Sequence, residues 1–518
     1  MRRVAVVVAL LVAFALPSHA GAAMLRLNMQ AGIDSLDPAL GFVNTTWELE
    51  YATCVKLANY PDVSGPLGST PRLEAASYQL SSLDNLTQTF VVVPGRYVFS
   101  DGEPVTAASF LRAFTRSLHP ALHGPAANYV HDIVGADAYA SGSAAAIRGI
   151  TQIGPFLTIH LTRPAPDLLQ RLALPFFCAV PTWAPSTRDD SLPSAGPYYA
   201  SSVDLNGVTT FERNPFYTGQ RPRPWDEIDV RAFQDGLATE AALVSGQVDW
   251  AFDGLPIDQY AGFAAAHPAQ LFVDTVPSVA YFALRANRPL MADPNMRRAF
   301  NLALDRNALA GTAGAFGLTP TDQIIPPGVP GFRDVSIAPF GGDLAAAKVL
   351  AAPHAGQTAT VLSCPLARCI NQAAIAKSTL EALGLKVVVW QAASRSQQIQ
   401  IEQDPASAFD VSAEEWLLDY PDPVDVINML THTGSPQNAS IFSDPAFDAR
   451  EDAAAVLGGA GRAAAFASLD EDLMRQAIPI APFAVGNQRD AFSSRIGCQT
   501  FNAVGMDIVD LCLRGTGG

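Results

Sequence analysis

"NQAAIAKSTLEALGLKVVVW", residues 371 to 390, decides the fold class. Its first part reads as a helix that closes at Gly384, where a left-handed C-terminal residue is wanted. Its last part, "LKVVVW" (385–390), is short, β-branched and aromatic, the composition of a strand. A helix running straight into a strand is the repeating piece of an α/β fold with a partly parallel sheet. "FLTIHL" (156–161) reads as another strand. "DPNMRRAFNLALDR" (293–306) reads as a helix in which Asp293 caps, Pro294 fits the first turn, and Met296, Phe300, Ala303 and Leu304 share a face.

The chain has 518 residues, and a domain takes roughly 100–200, so two or three domains are expected. Hydrophobic residues make up 49% and charged residues 16%, which excludes a disordered or fibrous chain. There is no repeat and no low-complexity linker.

Residues 1–23 read differently. Arg2 and Arg3 precede an apolar run from Val4 to Leu16, then Pro17 and "SHAGAAM". This is the pattern of a secretory signal peptide, with cleavage expected after Ala20 or Ala23. The alternative, a buried N-terminal helix, finds no amphipathic spacing in the run. No Cys stands at the cut, so no lipid anchor is expected, and no later apolar stretch is long enough for a membrane helix. The mature chain is expected free in the periplasm.

Six cysteines in an oxidising destination favour disulfides, and no C-x-x-C pair suggests zinc. Proximity in the chain pairs Cys364 with Cys369 and Cys498 with Cys512, which leaves Cys54 for Cys178; this is one of the 15 connectivities that six cysteines allow. The formal charge is −16, from 33 Lys+Arg against 49 Asp+Glu, with four lysines. Nucleic acid needs clustered cations against its phosphates, so it is not an expected partner.

Catalytic signatures are absent: no G-x-S-x-G, H-E-x-x-H, G-x-x-x-x-G-K-[ST] or S-x-x-K occurs. "GTAGAFG" (311–317) follows a helix and lacks dinucleotide spacing, so it reads as a loop. His119 and His123 stand four apart, but Pro120 between them and the lack of a neighbouring carboxylate favour packing or surface roles over a metal. No metal or other cofactor is expected.

"WLLDYPDPVD" (416–425) is the stretch that carries chemistry. Asp419, Asp422 and Asp425 lack the spacing and glycine of a calcium loop. A solvated acidic loop and a binding site both remain open on these residues alone. In the second reading Trp416 and Tyr420 wall Asp419, which receives an ammonium group by charge-assisted hydrogen bond and cation–π contact.

The order of motifs resembles the extracytoplasmic solute-binding proteins of ABC importers, in the cluster that includes oligopeptide- and dipeptide-binding proteins. "SLDPAL" (35–40) looks like the family's opening motif, and residues 71–118, ending in "FSDGEPVTAASFLRAFTRSL", look like its long signature. "LTRPAPDLLQRLALPFF" (161–177), "AGPYY" (195–199), "FERNPFY" (211–217), "EAALVSGQVDWA" (240–251), "IPPGVPGF" (325–332) and "FDVSAEEWLLDYPDP" (409–423) follow in family order.

The resemblance implies two α/β lobes joined by a two-strand hinge, with an additional inserted α/β domain. It places the first lobe at 24–46, 176–275 and 483–518, the inserted domain at 47–175 and the second lobe at 276–482. In that layout Cys498 and Cys512 share the first lobe, and Cys54 and Cys178 tie the inserted domain to it.

It further implies that Asp419 receives the α-ammonium of a peptide or amine-bearing solute, with Trp416 and Tyr420 as walls, and that the loaded receptor, expected as a monomer, presents its solute to a permease complex in the inner membrane. Asn44 and Thr45 are further cleft candidates. There are departures. Ser109 stands where an acid is usual, Glu415 where Gly is usual, and Ala413 where oligopeptide binders carry Arg. A ligand carboxylate then needs another cation, for which Arg395 is the candidate. The extra acids Glu414 and Glu415 point to a more basic or differently shaped ligand. Nickel, haem, opine and sugar binders of the same cluster are alternatives, and a secreted hydrolase or a docking or chaperone protein are alternatives of another class.

Overall fold

The computed structural model describes residues 23–30, 32–65, 67–232 and 236–515. Residues 1–22, which hold most of the expected leader, lie outside them. The expected helix-to-strand unit is present. The helix Ala367–Ala382 begins before Asn371, and Cys369 in its first turn is bridged back to Cys364, just past the end of the preceding strand. It stops at Leu383 and Gly384, whose φ of +93° is the left-handed conformation that glycine adopts without steric cost. The strand Lys386–Gln391 then pairs parallel with Thr358–Ser363. The helix read over 293–306 starts as expected, with the Asp293 carboxylate accepting from the Asn295 amide at 2.8 Å, but it ends at Ala303: Leu304 is extended and Asp305 caps a second helix, Arg306–Gly311.

Among the described residues one large mixed sheet runs through two α/β lobes. In the first lobe Met24–Met29 pairs parallel with Glu227–Ala232 and with Trp250–Ala251. In the second, Ser278–Leu284 is buried throughout between Val411–Leu417 and the start of Ile480–Phe492. The strand Ile480–Phe492 joins the lobes. Its first half pairs with Ser278–Leu284, and its second half pairs with Leu271–Thr275.

The chain thus crosses between lobes twice, at Val276–Pro277 and around Gly486. The Val276 amide donates to the Gly486 carbonyl at 3.0 Å, and the Gly486 amide donates to Ser278 Oγ at 2.8 Å. A Cβ on Gly486 would sit 2.7 Å from Ser278 Oγ, so the crossing needs glycine. Separate apolar cores support each body: one around Phe282, Phe300 and Phe483, one around Trp225, Trp250 and Phe492.

A third core, around Phe90, Phe110 and Phe114, fills the additional domain. It packs the helix Ala107–Ser117 on a four-stranded antiparallel sheet of Ala76–Ser81, Thr87–Val92, Phe156–His160 and Ile150–Ile153. Ser109, where the family has an acid, completes a capping box: the Thr106 amide donates to its Oγ at 3.1 Å. Arg116, at the end of this helix, makes a fully buried bidentate pair with Asp37 of "SLDPAL". That motif is therefore a strut between bodies.

The three bridges join Cys54 to Cys178, Cys364 to Cys369 and Cys498 to Cys512. No helix among the described residues is long and apolar enough to cross a membrane.

Candidate functional site

The stretch "WLLDYPDPVD" leaves the sheet at the end of Val411–Leu417 and turns through two prolines into a short 3₁₀ helix, Pro423–Asp425. Asp425 folds back on the stretch. Its buried carboxylate accepts the Asp419 amide at 2.6 Å, and its carbonyl accepts Trp416 Nε1 at 2.6 Å. Asp422 accepts the Val424 amide at 3.0 Å and is neutralised by the buried Arg462, with contacts of 2.6 and 3.2 Å. Asp422 and Asp425 therefore shape the turn, and Asp419 is presented from the middle of the stretch.

Asp419 lines a cavity of about 510 Å³, between the additional domain and the second lobe, within the range of small-ligand sites. Trp416 and Tyr420 also line it. Tyr129, from the additional domain, donates its hydroxyl to Asp419 Oδ2 at 2.9 Å. Among the described residues no ion pair engages Asp419. Burial pushes its carboxyl up to about 6, and the Tyr129 hydrogen bond works in the opposite direction. Burial, and then the neighbouring Asp419 charge, push the Asp425 carboxyl well above its ordinary range.

The other carboxylates on this side of the cavity are already matched. Arg171 holds Asp132 with a pair of 2.8 Å hydrogen bonds and Asp167 at 3.2 Å, all buried. Burial would lower the Arg171 guanidinium, but the two carboxylates outweigh it and hold it above its ordinary value. With these pairs closed, the negative charge left for a ligand is that of Asp419, in a cavity that Trp416 also lines.

Tyr420 differs from the expected open wall. It is buried in the additional domain's core, and its hydroxyl donates to Asp167 at 3.2 Å. It ties the second lobe to the additional domain as well as lining the cavity. Asn44 lines a second, smaller cavity of about 40 Å³ that meets Asp419 on the hinge side. Thr45 lines neither cavity.

Arg395 corrects an expectation. It is outside both cavities, and its guanidinium grips Glu414 through bonds of 2.7 and 2.5 Å, so it is not a free cation for a ligand carboxylate. Glu415 is likewise paired, with Arg368 at 2.5 Å. The two extra acids are partners of these arginines rather than surplus negative charge at the site. The arginines that line the Asp419 cavity are Arg171, already paired with Asp132 and Asp167, and the half-exposed Arg163, 3.9 Å from Asp452. Arg163, Tyr129, Asp167 and Arg171 were not singled out in the sequence, because nothing local marks residues that reach the site only through folding.

"GTAGAFG" follows the helix Arg306–Gly311 as a loop, and His119 packs edge-on against Tyr139.

Residues 71–438 match the family model of the bacterial extracellular solute-binding proteins, family 5. The periplasmic oligopeptide-binding protein OppA of Escherichia coli K12 is 25% identical over 374 residues, covering 68% of this chain and 67% of that protein. Among solved structures, the clavulanic acid biosynthesis oligopeptide binding protein 2 superposes with a TM-score of 0.85 at 21% identity, over 95% of each chain. The murein tripeptide binding protein MppA in its unliganded open form superposes with a TM-score of 0.80 at 21% identity, over 95% of this chain and 98% of that one. A motif order that runs the length of the chain, a hinge of two crossing strands and a cavity between bodies thus agree with the family match: the chain belongs to the bacterial extracellular solute-binding proteins, family 5.

Proposed function

We propose that this protein is the periplasmic receptor of an ABC importer that captures a short peptide or a compact amine-bearing solute, with Asp419 as the acceptor of its ammonium group. The observation that carries the reading is the electrostatic state of Asp419. It is a largely desolvated carboxylate facing a ligand-sized cavity that Trp416 also lines, while the acids around it are paired or hydrogen-bonded. A charge-assisted hydrogen bond to an ammonium in such a place is stronger than in water, because the local dielectric is low. Oligopeptide and murein peptide binders among its relatives support the same class of ligand.

Closure is the working step. Ligand bridging Asp419 and the additional domain stabilises the closed arrangement to the extent that it binds that arrangement better. The lobes are placed at 24–46, 176–275 and 483–518 for the first and 276–482 for the second, with 47–175 as the inserted domain. A monomer delivers its solute to a membrane permease, and the site binds rather than transforms.

The test is a thermal-shift and calorimetric screen of the mature protein with di- to pentapeptides and simple amines, each compared with its N-acetylated form. Free amines are expected to raise the melting temperature and their acetylated forms to lose the effect. Equal binding of both forms would overturn the assignment.

A further inference from the structure

His432, on the rim of the Asp419 cavity, belongs to a second constellation that the ammonium site does not use. It follows the helix Ile427–Thr431 and faces Asp448 and Glu451 of the helix Pro445–Ala455, two positions three apart and so on one face. One ligand-type atom from each of the three residues lies within 4.8 Å of the others.

The tautomer of His432 is fixed by its neighbour. Nδ1 lies 3.0 Å from the Thr433 carbonyl, which can only accept, so Nδ1 carries the proton and Nε2 presents its lone pair. Nε2 is buried and without a hydrogen-bond partner. Glu451 is 0% exposed. Its Oε1 accepts the Thr431 hydroxyl at 2.8 Å, while Oε2 is buried and has no hydrogen-bond partner. Asp448 is oriented by the Thr433 amide, which donates to Oδ1 at 3.0 Å. A proton on Nε2 would not satisfy the ring: the nearest paired carboxylate, Asp452, is 3.7 Å away and exposed.

Buried polar atoms are costly to leave unmatched, and here two of them belong to one convergent group of metal-ligand type. We propose that His432, Asp448 and Glu451 form a binding site for a divalent transition cation. One imidazole and two carboxylates suit Zn²⁺, with a coordination position left for water or a ligand donor. The backbone carbonyl on Nδ1 is the outer partner that metal-bound histidines ordinarily have. His432 and the loop after it line the cavity, so a bound cation would fasten that rim to the helix Pro445–Ala455.

The experiment uses the untagged mature protein, stripped with chelator, with no solute present, so its outcome is independent of the ligand proposed above. Zn²⁺ is titrated by calorimetry and Co²⁺ by visible absorption. The expected result is one saturable equivalent and cobalt ligand-field bands. His432→Gln and Asp448→Asn should each weaken binding on the order of tenfold or more, with an unchanged circular dichroism spectrum. Asp448→Asn keeps the oxygen that receives the Thr433 amide, so it tests charge and ligation rather than folding. No saturable binding, or binding that both substitutions leave within about twofold of the parent, would overturn the proposal.

Discussion

Tyr129 and Asp419, 290 residues apart in the chain, meet hydroxyl to carboxylate at 2.9 Å. One comes from the additional domain and the other from the loop that leaves the second lobe's sheet, so the carboxylate stands where two bodies close on one cavity. The tyrosine supplies one hydrogen bond to a charge that burial disfavours, and a bound ammonium would supply the balancing charge.

Asp419→Asn should therefore weaken binding of an amine-bearing ligand by about 2–5 kcal/mol, the cost of deleting one partner of a desolvated charge pair. Stability without ligand should stay level or rise, because an unpaired buried charge is removed. Calorimetry and thermal melts of the two proteins check both halves.

The pH dependence has two opposite signs. Burial raises the Asp419 carboxyl to about 6 in the folded protein, above the unfolded value of roughly 3.9. The folded state then holds more protons than the unfolded state between those values, so this group's contribution to stability is full below about 4 and is lost as pH rises through 6. Burial likewise raises the Asp470 and Asp490 carboxyls to about 7, and they act in the same direction. The ligand-free protein should melt higher at pH 5 than at pH 7.5. Ammonium binding needs the carboxylate, so affinity should fall as pH drops through about 6, and Asp419→Asn should abolish that fall.

Tyr420→Phe removes the hydroxyl that reaches Asp167 at 3.2 Å and leaves Asp167 paired with Arg171. The loss of about 1–2 kcal/mol should fall on the contact between lobe and additional domain. Small-angle scattering of the ligand-free variant should show a larger radius of gyration than the parent, with ligand affinity reduced.

The bridges should differ in value by the length of chain they close. Cys54–Cys178 spans 124 residues, Cys498–Cys512 spans 14 and Cys364–Cys369 spans 5. Replacing both members of the first pair by Ser should cost about 2–5 kcal/mol, and the same change at Cys364 and Cys369 should cost less. Chemical denaturation of the two double variants measures the difference.

What was legible in the sequence was local. The cap at Asp293, the left-handed glycine at 384 and the β-branched strand after it each act over a few residues, and the structure has all three. The stretch around Asp419 left a solvated loop and a binding site both open, and it was the resemblance of "WLLDYPDP" to the family motif that singled out Asp419. The long strand Ile480–Phe492 was harder to read, since its apolar start and polar later half reflect two different lobes rather than one periodic face. Arg395 misled because a lone arginine in a sequence gives no sign of the Glu414 that neutralises it from the adjacent strand. Tyr129 carried no signal, as its role depends on how two bodies close.

Native mass spectrometry of the purified protein, before and after mild unfolding, tests the central claim most directly. The account predicts a released small molecule that bears a primary amine, retained by the parent and missing from Asp419→Asn. A released molecule without an amine, or an adduct held equally by both proteins, would contradict it.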